Sequence, residues 1–204
     1  MTDSEVTRRS DGERTHGQIL DVATRLASIE GLEGLTIGRL AKELGVSKSG
    51  VHAHFGSKEQ LQLETIEAAQ KILDREVIGP TMEVAPGIDR LQALCDRYLS
   101  YVERLVFPGG CFFSSLLAEM DGRTGRFHEM ARDGAGEWLG LIRRLAAEAQ
   151  QRGQLRPDAD LDLLTFSIDA HLEAANYYYV LLDEPAVIDR SRRAIAALLE
   201  PLRL

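Results

Sequence analysis

The stretch Leu35-Thr36-Ile37-Gly38-Arg39-Leu40-Ala41-Lys42-Glu43-Leu44-Gly45-Val46-Ser47-Lys48-Ser49-Gly50-Val51-His52-Ala53-His54-Phe55 decides how this chain folds. Thr36 is an N-cap residue for a short helix that turns Ile37, Leu40, Ala41 and Leu44 inward. Gly45 ends that helix, since a sharp swing needs positive φ and only glycine adopts it cheaply. Val46 is expected to pack within the turn, and Ser47 caps a second short helix reaching about His54. Val51 and Phe55, at i and i+4, mark its buried side. Short helix, glycine turn, short helix is the pattern of a helix-turn-helix. Lys48, Ser49, Gly50, His52 and His54 are left on the open side.

Working outward, Ile19, Val22, Ala23, Leu26 and Ile29 recur at helical spacing and predict a first helix over about 12–30, stopped by Gly31. Ser57 with Gln60 forms a capping box that opens a fourth helix to about Val77. Glycine and proline breaks then separate helices at about 88–106, 110–121, 124–152, 159–182 and 185–200. No stretch alternates like a strand. The expected fold is all-α, nine helices in two domains. Residues 1–60 hold an N-terminal arm and a three-helix helix-turn-helix domain, and residues 61–204 a helical bundle for ligand binding and dimerisation.

The 204 residues carry a formal charge of −8, an acidic balance for a nucleic-acid partner. The charge is uneven, however. Between Thr36 and Lys58 four cations (Arg39, Lys42, Lys48, Lys58) face the single acid Glu43, with His52 and His54 beside them. No apolar run has the length of a membrane span, the first residues lack a secretory pattern, and a cytoplasmic protein is expected. Cys95 and Cys111 are read as reduced, buried thiols. No phosphate loop, metal-ligand spacing, nucleophile elbow or other catalytic motif is present, so neither an enzyme nor a cofactor is expected. A helical enzyme built on His128, Glu119 and Asp121, or a helical adaptor without DNA binding, are the alternatives.

The run Leu35-Thr36-Ile37, Leu40-Ala41, Leu44-Gly45-Val46-Ser47-Lys48, Val51, His54-Phe55, Ser57-Lys58-Glu59 and Leu61 resembles the N-terminal domain of the tetracycline-repressor (TetR) family over residues 14–62. The resemblance implies a homodimer that binds a palindromic double-stranded operator and answers to a small-molecule effector. It implies phosphate contacts from Thr36 and Lys58, and groove contacts from Ser47, Lys48, Ser49, Gly50, His52 and His54. Two positions depart from the family pattern. His52 stands where tyrosine is usual, and Gly38 where a polar or basic side chain often contacts DNA, with Arg39 as its substitute.

For the bundle the resemblance implies an effector pocket. Candidate lining residues are Tyr98, Tyr101, Phe112, Phe113, Met120, Phe127, Met130, Trp138 and Tyr178, in the middle of apolar stripes. Polar residues in apolar surroundings, namely His128, His171, Glu173 and Asn176, need a partner, because an unsatisfied buried polar group costs about 1–3 kcal/mol. Leu164, Ile168, Leu172 and Ala175, with Ile195, Leu198 and Leu199, form the apolar faces expected to pair two protomers as a four-helix bundle.

Overall fold

The computed structural model describes residues 3–204, with side chains from residue 14 onward. Its helices are α1 (Asp3–Glu30), α2 (Ile37–Leu44), α3 (Lys48–Phe55), α4 (Lys58–Leu73), α5 (Gly79–Met82), α6 (Ile88–Glu103), α7 (Phe112–Met120), α8 (Arg126–Gln151), α9 (Leu161–Leu182) and α10 (Ala186–Leu199). A π-helical turn, Asp74–Ile78, joins α4 to α5, so the expected fourth helix continues to Met82. The α1 helix starts well before the expected Gly12. One glycine among good helix formers costs only about 1 kcal/mol and does not stop a helix.

The chain divides into two compact units, Met1–Ile72 and Leu73–Leu204, where the sequence suggests a boundary at residue 60. The beginning of α4 belongs to the first unit for a visible reason. Leu61 is fully buried, Gln62 donates through Nε2 to the Leu32 carbonyl (2.7 Å), and Glu64 pairs with His16.

The N-terminal unit is built around Ala23, Leu26, Leu32, Leu35, Leu40, Val51, Phe55 and Leu61, all buried. Two residues expected inside lie outside: Ile29 is 62% exposed and Val46 52%. Val46 is turned out by the end of α2 itself. Gly45 takes a left-handed conformation (φ 66°), its N–H reaches Lys42 O, and the Val46 N–H reaches Ala41 O. This double closure of the last carbonyls leaves the Val46 side chain facing solvent.

In the C-terminal unit, α9 packs against α6, α8 and α10. Its Leu164, Ile168, Leu172 and Ala175 are buried in the protomer's own core with Ile142, Leu145, Ile195 and Leu199. These are the residues expected to face a partner, so that expectation is corrected: the stripe is intramolecular, and Leu198 is only half-buried. A second apolar stripe lies on the opposite side of α9, where Leu163 (61%), Phe166 (69%), Tyr177 (60%) and Leu181 (60%) are exposed. Steps of three, eleven and four residues separate them, about one, three and one helical turns, which keeps them on one helix face. No strand occurs among the described residues beyond an isolated bridge, Leu155 with Arg203. Among the described residues no helix is long and apolar enough to cross a membrane.

Candidate DNA interface and the acid-lined interior of the bundle

Each capping residue of the helix-turn-helix does its local work. Thr36 accepts the Arg39 N–H at 3.0 Å and Ser47 the Gly50 N–H at 3.1 Å, starting α2 and α3. Val51 and Phe55 anchor α3 inward at 0% and 4% exposure. Lys48, Ser49, Gly50 and His52 are exposed as a row along α3. Lys48 has no ion pair among the described residues, and Ser49 touches only the Ser47 hydroxyl (3.1 Å). A Cβ at Gly38 would come within 3.1 Å of Lys48 Cε. The stem of Lys48 therefore lies over the first turn of α2, in the space that the missing side chain leaves.

Three other expected DNA contacts have partners within the protein. Arg39 forks onto Glu30 (2.6 Å) and Glu43 (2.8 Å), and these carboxylates, Glu30 first, hold its guanidinium pKa above the ordinary value. Lys58 reaches the Glu33 carboxylate and carbonyl, both at 3.0 Å. His54 is half-buried beside Phe55 and His16, their ring centroids 6.3 and 5.6 Å away. His16, which the sequence did not single out, thus links α1 to the end of α3 and to α4.

In the C-terminal unit the expected pocket residues separate into groups. Tyr98, Tyr101, Phe112 and Met120 are core, at 1–3% exposure. Phe113, Phe127, Met130, Trp138 and His171 are half-buried. Tyr178 lies outside, 44% exposed and edge-on to Tyr177 at 5.6 Å, so that tyrosine cluster lines no interior space. The embedded polar groups have found protein partners. His128 Nδ1 meets Met120 O (2.9 Å) and His171 Nδ1 meets Ser167 O (2.6 Å). Asn176 Oδ1 accepts the Cys111 N–H at 2.7 Å, just before α7. Gly110 adjoins that contact with φ 85°, and a Cβ there would fall 2.6 Å from Asn176 Oδ1. Burial, and then Asp96, push the Cys95 thiol up to about 12, in keeping with an unreactive buried cysteine.

Four helices meet at a small polar cluster. Tyr98 (α6) stacks at a tilt on Trp138 (α8), centroids 5.4 Å apart. Trp138 Nε1 donates to Asp169 Oδ1 (2.9 Å) on α9. One turn further along α9, Glu173 Oε1 accepts from Ser114 of α7 (2.8 Å) and from the Tyr98 hydroxyl (3.3 Å). Burial raises the pKa of both carboxyls, and Asp169 adds to the rise at Glu173 against the opposing Ser114 and Tyr98 hydrogen bonds. Asp169 and Ser114 were not anticipated from sequence. The available signal was a pair of acids at i and i+4 in the middle of a largely apolar helix. Among the described residues no group of three or more side chains is placed to hold a metal ion.

Residues 19–65 match the family of tetR-type bacterial regulatory proteins, and residues 87–195 match the tetracyclin repressor-like C-terminal domain. The HTH-type transcriptional regulator LmrA of Bacillus subtilis (strain 168) is 36% identical over 61% of this chain and 66% of its own length. The HTH-type transcriptional regulator BetI of Agrobacterium fabrum is 33% identical over 37% of each chain, so that match spans little more than a third of the relative. Among solved structures, a TetR transcriptional regulator from Chloroflexus aurantiacus aligns with a TM-score of 0.87 and 27% identity, covering 96% of this chain and 99% of its own. AibR, solved in complex with isovaleryl coenzyme A and operator DNA, shares the fold with a TM-score of 0.71 and 20% identity, covering 92% and 98%. An N-terminal helix-turn-helix joined to an all-helical second unit defines the class of two-domain, DNA-binding transcription regulators. Within that class the chain belongs to the TetR family.

Proposed function

We propose that this chain is a cytoplasmic, homodimeric operator-binding repressor whose grip on DNA is altered by a small molecule in the C-terminal unit. The observation that carries the reading is the exposed row Lys48, Ser49, Gly50 and His52 on α3, held by a buried Val51 and Phe55. In a helix-turn-helix the second helix enters the major groove with its N-terminal residues toward the bases, and paired half-sites lie about 34 Å apart. Small residues at Ser49 and Gly50 permit close approach. The free N–H groups and positive dipole end of α3 suit phosphate. Thr36 flanks this row, while Arg39 braces α2 against Glu30 of α1. Lys58 would exchange Glu33 for a phosphate on binding, a modest cost for an exposed pair.

A dimer is favoured by α9, which is apolar on two opposite sides. An exposed apolar stripe of this length marks a surface that a partner covers. The outer stripe Leu163, Phe166, Tyr177 and Leu181 is therefore assigned to the symmetry mate, with α10 completing a four-helix bundle. Effector control follows as a population shift: a ligand moves operator affinity only by its differential affinity for the two arrangements.

The test is selection from a genomic fragment library by the intact protein, run beside a Lys48→Ala/His52→Ala variant. Recovery of a palindromic site by the wild type and its loss in the variant is the expected result. Absence of enrichment at low salt from folded dimer would refute the operator-binding reading. The salt dependence of affinity for the recovered site should be steep, since each phosphate contact releases counterions.

A further inference from the structure

We infer that the interior of the C-terminal unit, where α6, α7, α8 and α9 meet, is a receptor for an organic cation, its ammonium held by Asp169 and Glu173 and its body by the rings of Tyr98 and Trp138. The inference rests on the effector-binding reading above and names the chemical class of the effector.

Among the described residues the two carboxylates lack a compensating cation. Half-buried acids in a helical bundle are ordinarily compensated by an arginine or lysine. No cation among the described residues lies within ion-pair distance of Asp169 or Glu173, and only neutral donors reach them: Trp138 Nε1, Ser114 Oγ and Tyr98 OH. All three bonds fall on one oxygen of each carboxylate, Asp169 Oδ1 and Glu173 Oε1. The other oxygens, Oδ2 and Oε2, have no protein donor among the described residues and keep their acceptor capacity. These bonds orient the two carboxylates and leave the negative charge of the pair unmatched.

The walls are of the matching kind. Tyr98 and Trp138 pack at 5.4 Å with their planes 39° apart, and Tyr101 follows 5.9 Å from Tyr98. Aromatic faces carry a negative quadrupole and attract an ammonium within about 6 Å of the ring centre. Rings in this position favour an organic cation over a hydrated metal ion, which would need oxygen ligands all round. A further polar group is waiting. Tyr101 is 1% exposed, and its hydroxyl has no hydrogen-bond partner. Its ring adjoins Tyr98, whose hydroxyl donates to Glu173. Trp138, Asp169, Glu173, Ser114 and Phe113 are only half-buried, so the cluster can be reached from solvent.

Trp138 is the one tryptophan of the chain, so its fluorescence reports from within this site. The experiment titrates the intact protein, without DNA, with benzylammonium, with benzyl alcohol as a neutral counterpart of similar size, and with benzoate as an anion. The expected result is a saturable change of Trp138 emission with benzylammonium, with benzyl alcohol roughly tenfold weaker or more and no response to benzoate. Asp169→Asn/Glu173→Gln keeps the hydrogen-bonding shapes and should weaken benzylammonium by a similar factor while its circular dichroism and unfolding remain those of a folded protein. Equal response to the alcohol, no response to the ammonium, or an undiminished affinity in the double variant would overturn the inference. The alcohol comparison uses wild-type protein and so stands even if the variant folds poorly. Because no operator is involved, failure here with intact operator binding removes only the cation assignment.

Discussion

Asn176 shows at the scale of one residue how a polar group earns its place inside an apolar helix. Its side-chain oxygen supplies the acceptor for the Cys111 N–H where the chain enters α7, and Gly110 has no side chain that would block it. Asn176→Ala should therefore lower stability by about 1–3 kcal/mol in denaturant unfolding, the cost of an orphaned buried donor. The demand for a partner was legible in sequence, but its identity was not, because the two residues lie far apart in the chain. Asp169 and Glu173 carry a pH signature of the opposite sign from an ion-paired acid. Their native pKa values are raised by burial, so the folded state holds more protons than the unfolded one between the ordinary carboxylate value and the raised one. Stability from this pair rises as pH falls through that window and levels off below about pH 4. Asp169→Asn/Glu173→Gln should accordingly unfold at a higher temperature than wild type near neutral pH, with the difference vanishing in acid. Taking the difference between the two proteins removes the contrary trend of Glu76, whose pKa Arg104 lowers.

Among the elements, α2 and α3 were legible almost to the residue, because caps, glycine turn and buried spacing all agree there. What escaped was the direction of single side chains at the ends of helices. Val46 and Ile29 fit an apolar pattern, yet hydrogen bonding at the end of α2 and the edge of α1 turn them outward. Ser47→Ala should cost about 1 kcal/mol by removing the cap of α3, as thermal unfolding would record. Gly38→Ala poses a different question. The added methyl meets only the flexible end of Lys48, at 3.1 Å, so unfolding should be little changed while Lys48 is displaced. A shift in preferred operator sequence without a shift in melting temperature is the expected outcome, and selection from a randomised half-site would read it.

For the whole molecule, the error about the dimer face is instructive. A stripe at helical spacing says that a helix is buried on one side and cannot say against what. The α9 helix carries two such stripes, and only coordinates distinguish the one that packs on Ile142 and Ile195 from the one left open at Phe166. The total charge of −8 was equally uninformative about the exposed Lys42 and Lys48 on α2 and α3. In the proposed dimer, Phe166→Glu should bury a charge from each chain in the apolar seam. Sedimentation should then show a monomer, and operator affinity should fall although residue 166 is far along the sequence from α3.

The open stripe on α9 has a consequence for the cell as well as for the molecule. Each chain contributes one recognition helix, so only paired chains can occupy both halves of an operator. While copies are few, the number of pairs grows as the square of the number of chains. Halving gene dosage would then leave about a quarter of the competent regulator. Control would be shed abruptly as growth dilutes the protein and regained abruptly as synthesis resumes, giving the genes beneath it a threshold that no single chain possesses.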